Sequence, residues 1–237
     1  MPSMAAELAL ALAPSPPPAA VFNMTGGGIH VTGNHWSSYR CFRQLDSWFE
    51  RVLANATRSM RVLDVGGGTG EKTQHLRERF GRTHQIHCLD VISHPACQRF
   101  GGELLPMADR SQDVVFFSYA LHHSGDHAIP LLQEARRVTE HGGFIAVLED
   151  LKADSTLMQR AEAVHLGCTP SEPCIFRGDR EWRAIFELLR LRVVERMTPD
   201  RRCARNIPRA LYVLQHDRRL DGRITIVGEG RNSMERM

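Results

Sequence analysis

Three groups of residues in this 237-residue chain have types and spacings that do chemistry. The first is the run Val62-Leu63-Asp64-Val65-Gly66-Gly67-Gly68-Thr69-Gly70, with Asp90 following 20 residues after Gly70. An apolar run entering glycines is how a strand delivers a loop to a ligand at a helix N-terminus. The dinucleotide fingerprint G-x-G-x-x-G needs its third glycine where the pyrophosphate meets the helix. Counted from Gly66, that place is Glu71, and a carboxylate there repels a pyrophosphate. A dinucleotide-dependent oxidoreductase is therefore disfavoured. Gly66, Gly68 and Gly70 are spaced G-x-G-x-G, which suits a cofactor without phosphates, because the backbone can lie where any Cβ would collide. Asp90 can accept hydrogen bonds from both hydroxyls of a ribose, so the pair of features points to an adenosine-like ligand. The bland alternative for Asp90 is a turn acid that caps the next segment.

The second group is Leu121-His122-His123 with Glu149-Asp150, two pairs that each follow an apolar run. A neutral imidazole takes a proton from O–H or N–H near pH 7, and paired carboxylates hold a polar ligand or cap a segment. The third is His165, Cys168 and Cys174 in HLGCTPSEPC. Five residues lie between the two cysteines, wider than paired zinc ligands usually stand, and a fourth ligand is missing. No metal is expected, and this segment reads as a proline-bearing loop. Thr25-Gly26-Gly27-Gly28 resembles a phosphate loop but follows no strand, so it reads as a hinge.

The elements that must position these groups follow from periodicity. Trp36, Tyr39, Phe42, Leu45, Trp48, Phe49, Val52 and Leu53 recur at helical spacing and predict a helix over 35–57, with Tyr39 and Arg40 as a candidate lid. Strands are predicted over 61–65, 84–89, 113–118 and 144–148, with helices over 71–80 and 128–139 between them and a turn at His141-Gly142-Gly143. Beyond these come helices near 155–165 and over 180–189, then strands over 191–197 and 210–215. Apolar strands alternating with helices imply an α/β fold: a Rossmann-like, doubly wound, mostly parallel sheet with helices on both faces. An antiparallel edge strand is expected near the C-terminus. The expected division is a flexible tail over 1–34, one domain over 35–216 and a C-terminal tail over 217–237.

With those elements in place, VLDVGGGTG, the strand ending in Asp90, LLPMADRSQDVVFFSYALHH and LLQEARRVTEHGGFIAVLED together resemble the class I S-adenosylmethionine-dependent methyltransferases, in particular their "type 11" small-molecule group. The likeness spans roughly residues 60–150. It implies S-adenosyl-L-methionine as cofactor and a small-molecule methyl acceptor. By the same resemblance, Gly66, Gly67, Gly68 and Gly70 hold the methionine part, Asp90 with its neighbour Val91 binds the ribose side, and Asp64 helps hold the ammonium. Ser118 and Tyr119, after the fourth strand, line the methionine side. His123 becomes the candidate base for an O–H or N–H acceptor, with packing or capping as the alternative. Trp182, Ile185 and Phe186 match a helix that packs into the core.

The chain departs from that family in two places. The acid that accepts from the adenine amino group, five positions before the proline of the L-P-F motif, is here Gly101, since the motif is Leu105-Pro106-Met107. Adenine recognition then falls to Gly102 and Glu103. Pro106 stands only 16 positions after Asp90, little room for a crossover helix, so an irregular loop or single turn is expected over 92–96. These departures keep open a non-catalytic binding protein of the same fold.

Composition limits the rest. Lys+Arg 30 against Asp+Glu 27 gives a net charge of +3, too balanced for a nucleic-acid partner. No apolar run is long enough to span a bilayer, so no membrane insertion is expected. Six cysteines at irregular spacings do not form a disulfide framework, and free thiols in a reducing, cytoplasmic setting are expected. Residues 8–13 are too short for a signal core and lack a basic flank. A disordered tail fits them better than an organelle-targeting peptide.

Overall fold

The computed structural model describes residues 43–152, 174–198 and 208–216. The tails, the candidate lid at Tyr39 and Arg40, the helix near 155–165 and the residues His165 and Cys168 lie outside the described residues, as do the outer ends of the expected division.

Helix α1 (Arg43–Leu53) is followed by β1 (Arg61–Val65), α2 (Glu71–Phe80), β2 (Gln85–Asp90) and a two-residue β3 (Gln98–Arg99). Then come β4 (Gln112–Ser118), α3 (Ala128–Val138), β5 (Thr139–Asp150), α4 (Asp179–Leu188), β6 (Leu191–Met197) and β7 (Arg209–His216). The seven strands form one sheet in the order β3-β2-β1-β4-β5-β7-β6. The first five are parallel to their neighbours, and β7 runs antiparallel to both β5 and β6. The antiparallel strand expected near the C-terminus is therefore β7, with β6 outside it at the edge.

Strand alternation explains why the sheet is covered twice. In β1, Val62 faces one side while Leu63 and Val65 face the other; in β4, Val114 and Phe116 oppose Val115 and Phe117. Leu45, Trp48, Phe49 and Leu53 of α1 and Leu76 of α2 bury the first face. Leu131, Leu132, Ala135 and Val138 of α3 and Trp182 and Phe186 of α4 bury the second. At about 25 cal/mol per Å² of apolar surface, two such layers suffice to hold a domain of this size. Trp182 and Phe186 are thus core, as their spacing implied.

Three local readings are revised. The described helix α1 ends at Leu53 rather than reaching residue 57, where Asn55 Nδ2 caps the carbonyl of Arg51 at 2.8 Å. The expected turn at 141–143 is absorbed into the start of β5, whose pairing with β4 breaks register between Gln112 and Val114. Most consequential, Cys88 and Cys97 are not free thiols: they form a disulfide, with Cα atoms 4.5 Å apart. Sequence spacing could not show this, because it is the missing crossover helix that folds Cys97 back onto β2.

Candidate functional site

The carboxyl ends of β1, β2, β4 and β5 meet at one edge of the sheet, where open α/β folds place ligands. The glycine loop leaves β1 there. Gly66 and Gly67 N–H groups both donate to the Leu89 carbonyl, at 2.8 and 3.3 Å, which hangs the loop from β2. Gly66, Gly68 and Gly70 all have positive φ, a conformation in which a Cβ is strained. At Gly66, Gly67 and Gly70 an added Cβ would also strike protein atoms 2.4–2.5 Å away. Gly68 differs, since nothing of the protein lies within 4 Å of the Cβ it lacks. The loop is close-packed below and open at Gly68.

Asp90 is buried and has both oxygens engaged. Oδ2 accepts from Gly68 N–H at 2.7 Å, and Oδ1 accepts from Ile92 N–H at 2.8 Å. The acid thus splints the glycine loop, and both the ribose reading and the capping reading of Asp90 have a geometric basis. Each carboxylate oxygen has a second lone pair, so these bonds do not prevent it accepting from a ribose.

Asp64 is fully buried beneath the loop. Its Oδ2 accepts from Thr73 Oγ1 at 2.6 Å, while Oδ1 has no partner among the described residues. Burial pushes its pKa up to about 7, against the Thr73 hydrogen bond and the positive charge of Lys72. Ser118 Oγ, at the end of β4, is a second buried polar atom without a partner there. An uncharged or partly charged acid with an idle oxygen fits a ligand ammonium, which would restore its ionised form. Thr73 was missed in the sequence; its signal is the third position after Gly70, on the inner face of α2's first turn.

The end that the resemblance assigns to adenine is open. No helix forms between Asp90 and β3, and the crossover leaves Val91 43% and Ile92 62% exposed. Gly102 has φ +88°, and its missing Cβ would lie 3.2 Å from Val91 Cγ1. Gly101 has ordinary φ and open space around its Cβ position. Glu103 is exposed, 3.7 Å from His127 Nδ1.

On the acceptor side, Glu149 is fully buried and organises the turn after β4. Its Oε1 accepts from Leu121 N–H at 2.7 Å, and its Oε2 accepts from His122 Nδ1 at 2.5 Å. A neutral His122 therefore carries its proton on Nδ1 and has Nε2 as its basic nitrogen. The His122 ring stacks on Phe176 and lies 4.2 Å from that of His123, the exposed member of the pair. Asp150 is paired with Arg209 of β7, a residue the sequence did not single out. Burial raises the Asp150 pKa, opposed by Arg209. The Arg209 guanidinium lies 5.6 Å above the ring of Tyr119, whose φ of 55° is a strained backbone of the kind that collects at functional sites. Ligand atoms of His122, His123 and Cys174 lie within 4.8 Å of one another. Cys174 is disulfide-bonded, however, so it offers no thiolate to a metal.

The strand order with β7 reversed, the glycine loop after β1 and the acid ending β2 define the Rossmann-like class I methyltransferase fold. Residues 63–147 match the family model described as "Methyltransferase domain". That stretch is similar to the class I S-adenosylmethionine-dependent methyltransferases. The chain is 35% identical over 106 residues to malonyl-[acyl-carrier protein] O-methyltransferase 1 of Coxiella burnetii, covering 42% of this chain and 37% of that protein. It is 27% identical over 161 residues to the ubiquinone/menaquinone biosynthesis C-methyltransferase UbiE of Burkholderia cenocepacia, covering 60% of this chain and 65% of that protein. The chain thus spans 37–65% of the length of these two relatives. Geranyl diphosphate C-methyltransferase from Streptomyces coelicolor shares the fold, with a TM-score of 0.58 at 11% identity, over 75% of this chain and 80% of that one. No helix among the described residues is long and apolar enough to cross a membrane.

Proposed function

We propose that this protein transfers a methyl group from S-adenosylmethionine to a small-molecule acceptor by in-line displacement. The observation that carries the reading is the loop that is close-packed at Gly66, Gly67 and Gly70 yet open at Gly68, with the idle buried Asp64 Oδ1 beneath it. S-adenosylmethionine supplies a methyl group on a sulfonium, which leaves the protein chiefly the task of alignment. Asp64 and Ser118 take the methionine end, Asp90 the ribose, and Val91, Gly102 and Glu103 the adenine, with Tyr119 along the methionine side.

Where the acceptor is an O–H or N–H, His123 takes its proton, because it is exposed at the acceptor edge. His122 and Glu149 hold the turn that carries it. Of the two relatives, one is named an O-methyltransferase and the other a C-methyltransferase. The test is calorimetric titration with S-adenosylhomocysteine, followed by a turnover screen of metabolite extracts read by a mass gain of one methyl group. Binding with turnover supports the reading. No binding at millimolar ligand rejects it and favours a non-catalytic domain of this fold that binds a partner.

A further inference from the structure

The geometry points to the Cys88–Cys97 disulfide as a redox-modification site, reduced by a dithiol, that controls cofactor affinity. This rests on the cofactor site proposed above. Cys88 lies in β2 and Cys97 immediately before β3, so the bond closes the helix-free crossover onto the strand it leaves. Among the described residues the crossover is otherwise tied by hydrogen bonds from Ile92 N–H to Asp90 Oδ1 and from Phe100 N–H to the Asp90 carbonyl, a bridge between His94 and Cys97, a hydrogen bond from Arg77 to the Ala96 carbonyl, and the two-residue pairing of β3.

The glycine loop sits directly on this bond. A Cβ on Gly67 would lie 2.4 Å from Cys88 Sγ, and one on Gly70 would lie 3.2 Å from Cys97 Sγ and 2.4 Å from Ala96 Cβ. The loop's remaining ties run to Leu89 and Asp90, the two residues after Cys88. Two unbonded sulfurs need more room than a disulfide, and both are buried, so reduction must move the crossover, the loop or both. Either movement alters the seat of Gly68 and the splint from Asp90.

The step balances without help from the cofactor. A reductant thiolate attacks Cys97 Sγ, near which Pro95 and Gln98 are exposed, and a mixed disulfide forms as Cys88 leaves as thiolate and takes a proton. The reductant's second thiol displaces Cys97, so one dithiol is oxidised and one protein disulfide becomes two thiols. Linkage then requires that a cofactor preferring the oxidised form protects the bond by the same factor.

The test uses the full chain, oxidised and dithiothreitol-reduced, with alkylation and mass mapping to score Cys88 and Cys97, and titration with S-adenosylhomocysteine. Reduction is expected to weaken binding at least about tenfold, reoxidation to restore it, and saturating ligand to shift the dithiol ratio needed for half-reduction by a matching factor. The double variant Cys88→Ala/Cys97→Ala should bind like the reduced protein and ignore dithiothreitol. Equal affinity in both states, a free Cys88 in protein isolated without reductant, or a double variant that still responds to dithiothreitol overturns the switch alone. Global unfolding on reduction also overturns it, since the bond is then a staple. Absence of binding in both states overturns the switch together with the methyltransferase reading.

Discussion

Gly68→Ala separates the ligand's requirements from the fold's. In the loop, Gly68 has φ +57°, and its missing Cβ meets nothing within 4 Å. Alanine there suffers only the left-handed backbone penalty, about 1–2 kcal/mol. For a chain of this size that lowers Tm by roughly 2–8 °C and leaves the protein folded. The new methyl group projects into the space assigned to the methionine moiety, where the backbone must touch the ligand. Affinity for S-adenosylhomocysteine should fall by about 100-fold or more, equivalent to ~2.7 kcal/mol. Gly67→Ala gives the opposite pattern. Its Cβ would stand 2.4 Å from Cys88 Sγ and 3.0 Å from Asp64 Oδ2, and a bonded sulfur cannot swing aside. Overpacking of that kind costs about 1–3 kcal/mol. Circular dichroism melts and calorimetric titration of both variants read the two quantities separately. A folded Gly68→Ala protein that binds within twofold of the parent would show that the open side of the loop is not the cofactor's side.

Further outcomes follow from the same geometry. Asp64, with its pKa raised by burial to about 7, binds a proton in the folded state that the unfolded chain releases near pH 4. Its contribution to stability is thus present below pH 4 and is lost as pH rises toward 7, by at most about 1.4 kcal/mol per unit, and Asp64→Asn should remove that slope from pH-dependent melts. An ammonium beside Asp64 favours its charged form, so affinity for S-adenosylhomocysteine should rise from pH 5.5 to 7 and then level; a flat profile in the parent removes Asp64 from the ammonium site. Asp90→Ala should weaken binding by about 1.5–3 kcal/mol, the scale of hydrogen bonds to a charged group, with some loss of Tm because Gly68 and Ile92 N–H lose their acceptor. Unchanged affinity by titration would leave Asp90 as a splint only. Gly101→Asp should tighten binding by roughly 0.5–1.5 kcal/mol, one hydrogen bond's net worth, and the gain should vanish with an analogue lacking the adenine amino group. Gly101→Ala is the control, and an aspartate no better than alanine refutes the vacant-acceptor account.

The proposed cofactor half of the site has a signature in the sequence because it is local. A strand, three spaced glycines and an acid 20 residues beyond them sit within one supersecondary unit, so their spacing in sequence is their spacing in space. The alternation of apolar strands and helices likewise implied the doubly covered sheet, since period 2 and period 3.6 are written residue by residue. The short crossover was visible as a deficit of residues between Asp90 and Pro106. What it did was not visible, because a chain of that length can go several ways.

Tertiary structure decided everything that depends on residues far apart. Glu149 and His122 are 27 positions apart, and only the pairing of β4 with β5 brings them to 2.5 Å, making His122 rather than His123 the carboxylate-bound imidazole. Arg209 reaches Asp150 from β7 across 59 positions and carries no motif of its own. The spacing of Cys88 and Cys97 predicts free thiols, because nothing in it says that Cys97 returns onto β2 to form the disulfide. Asp90 holds the loop as well as facing the ligand edge because Gly68 N–H falls 2.7 Å from it. Sequence by itself determined the residue types, the period of each element and the loop's need for glycine. The sheet's order and register determined which of those residues share an atom's reach, because long-range proximity is a property of packing and not of spacing.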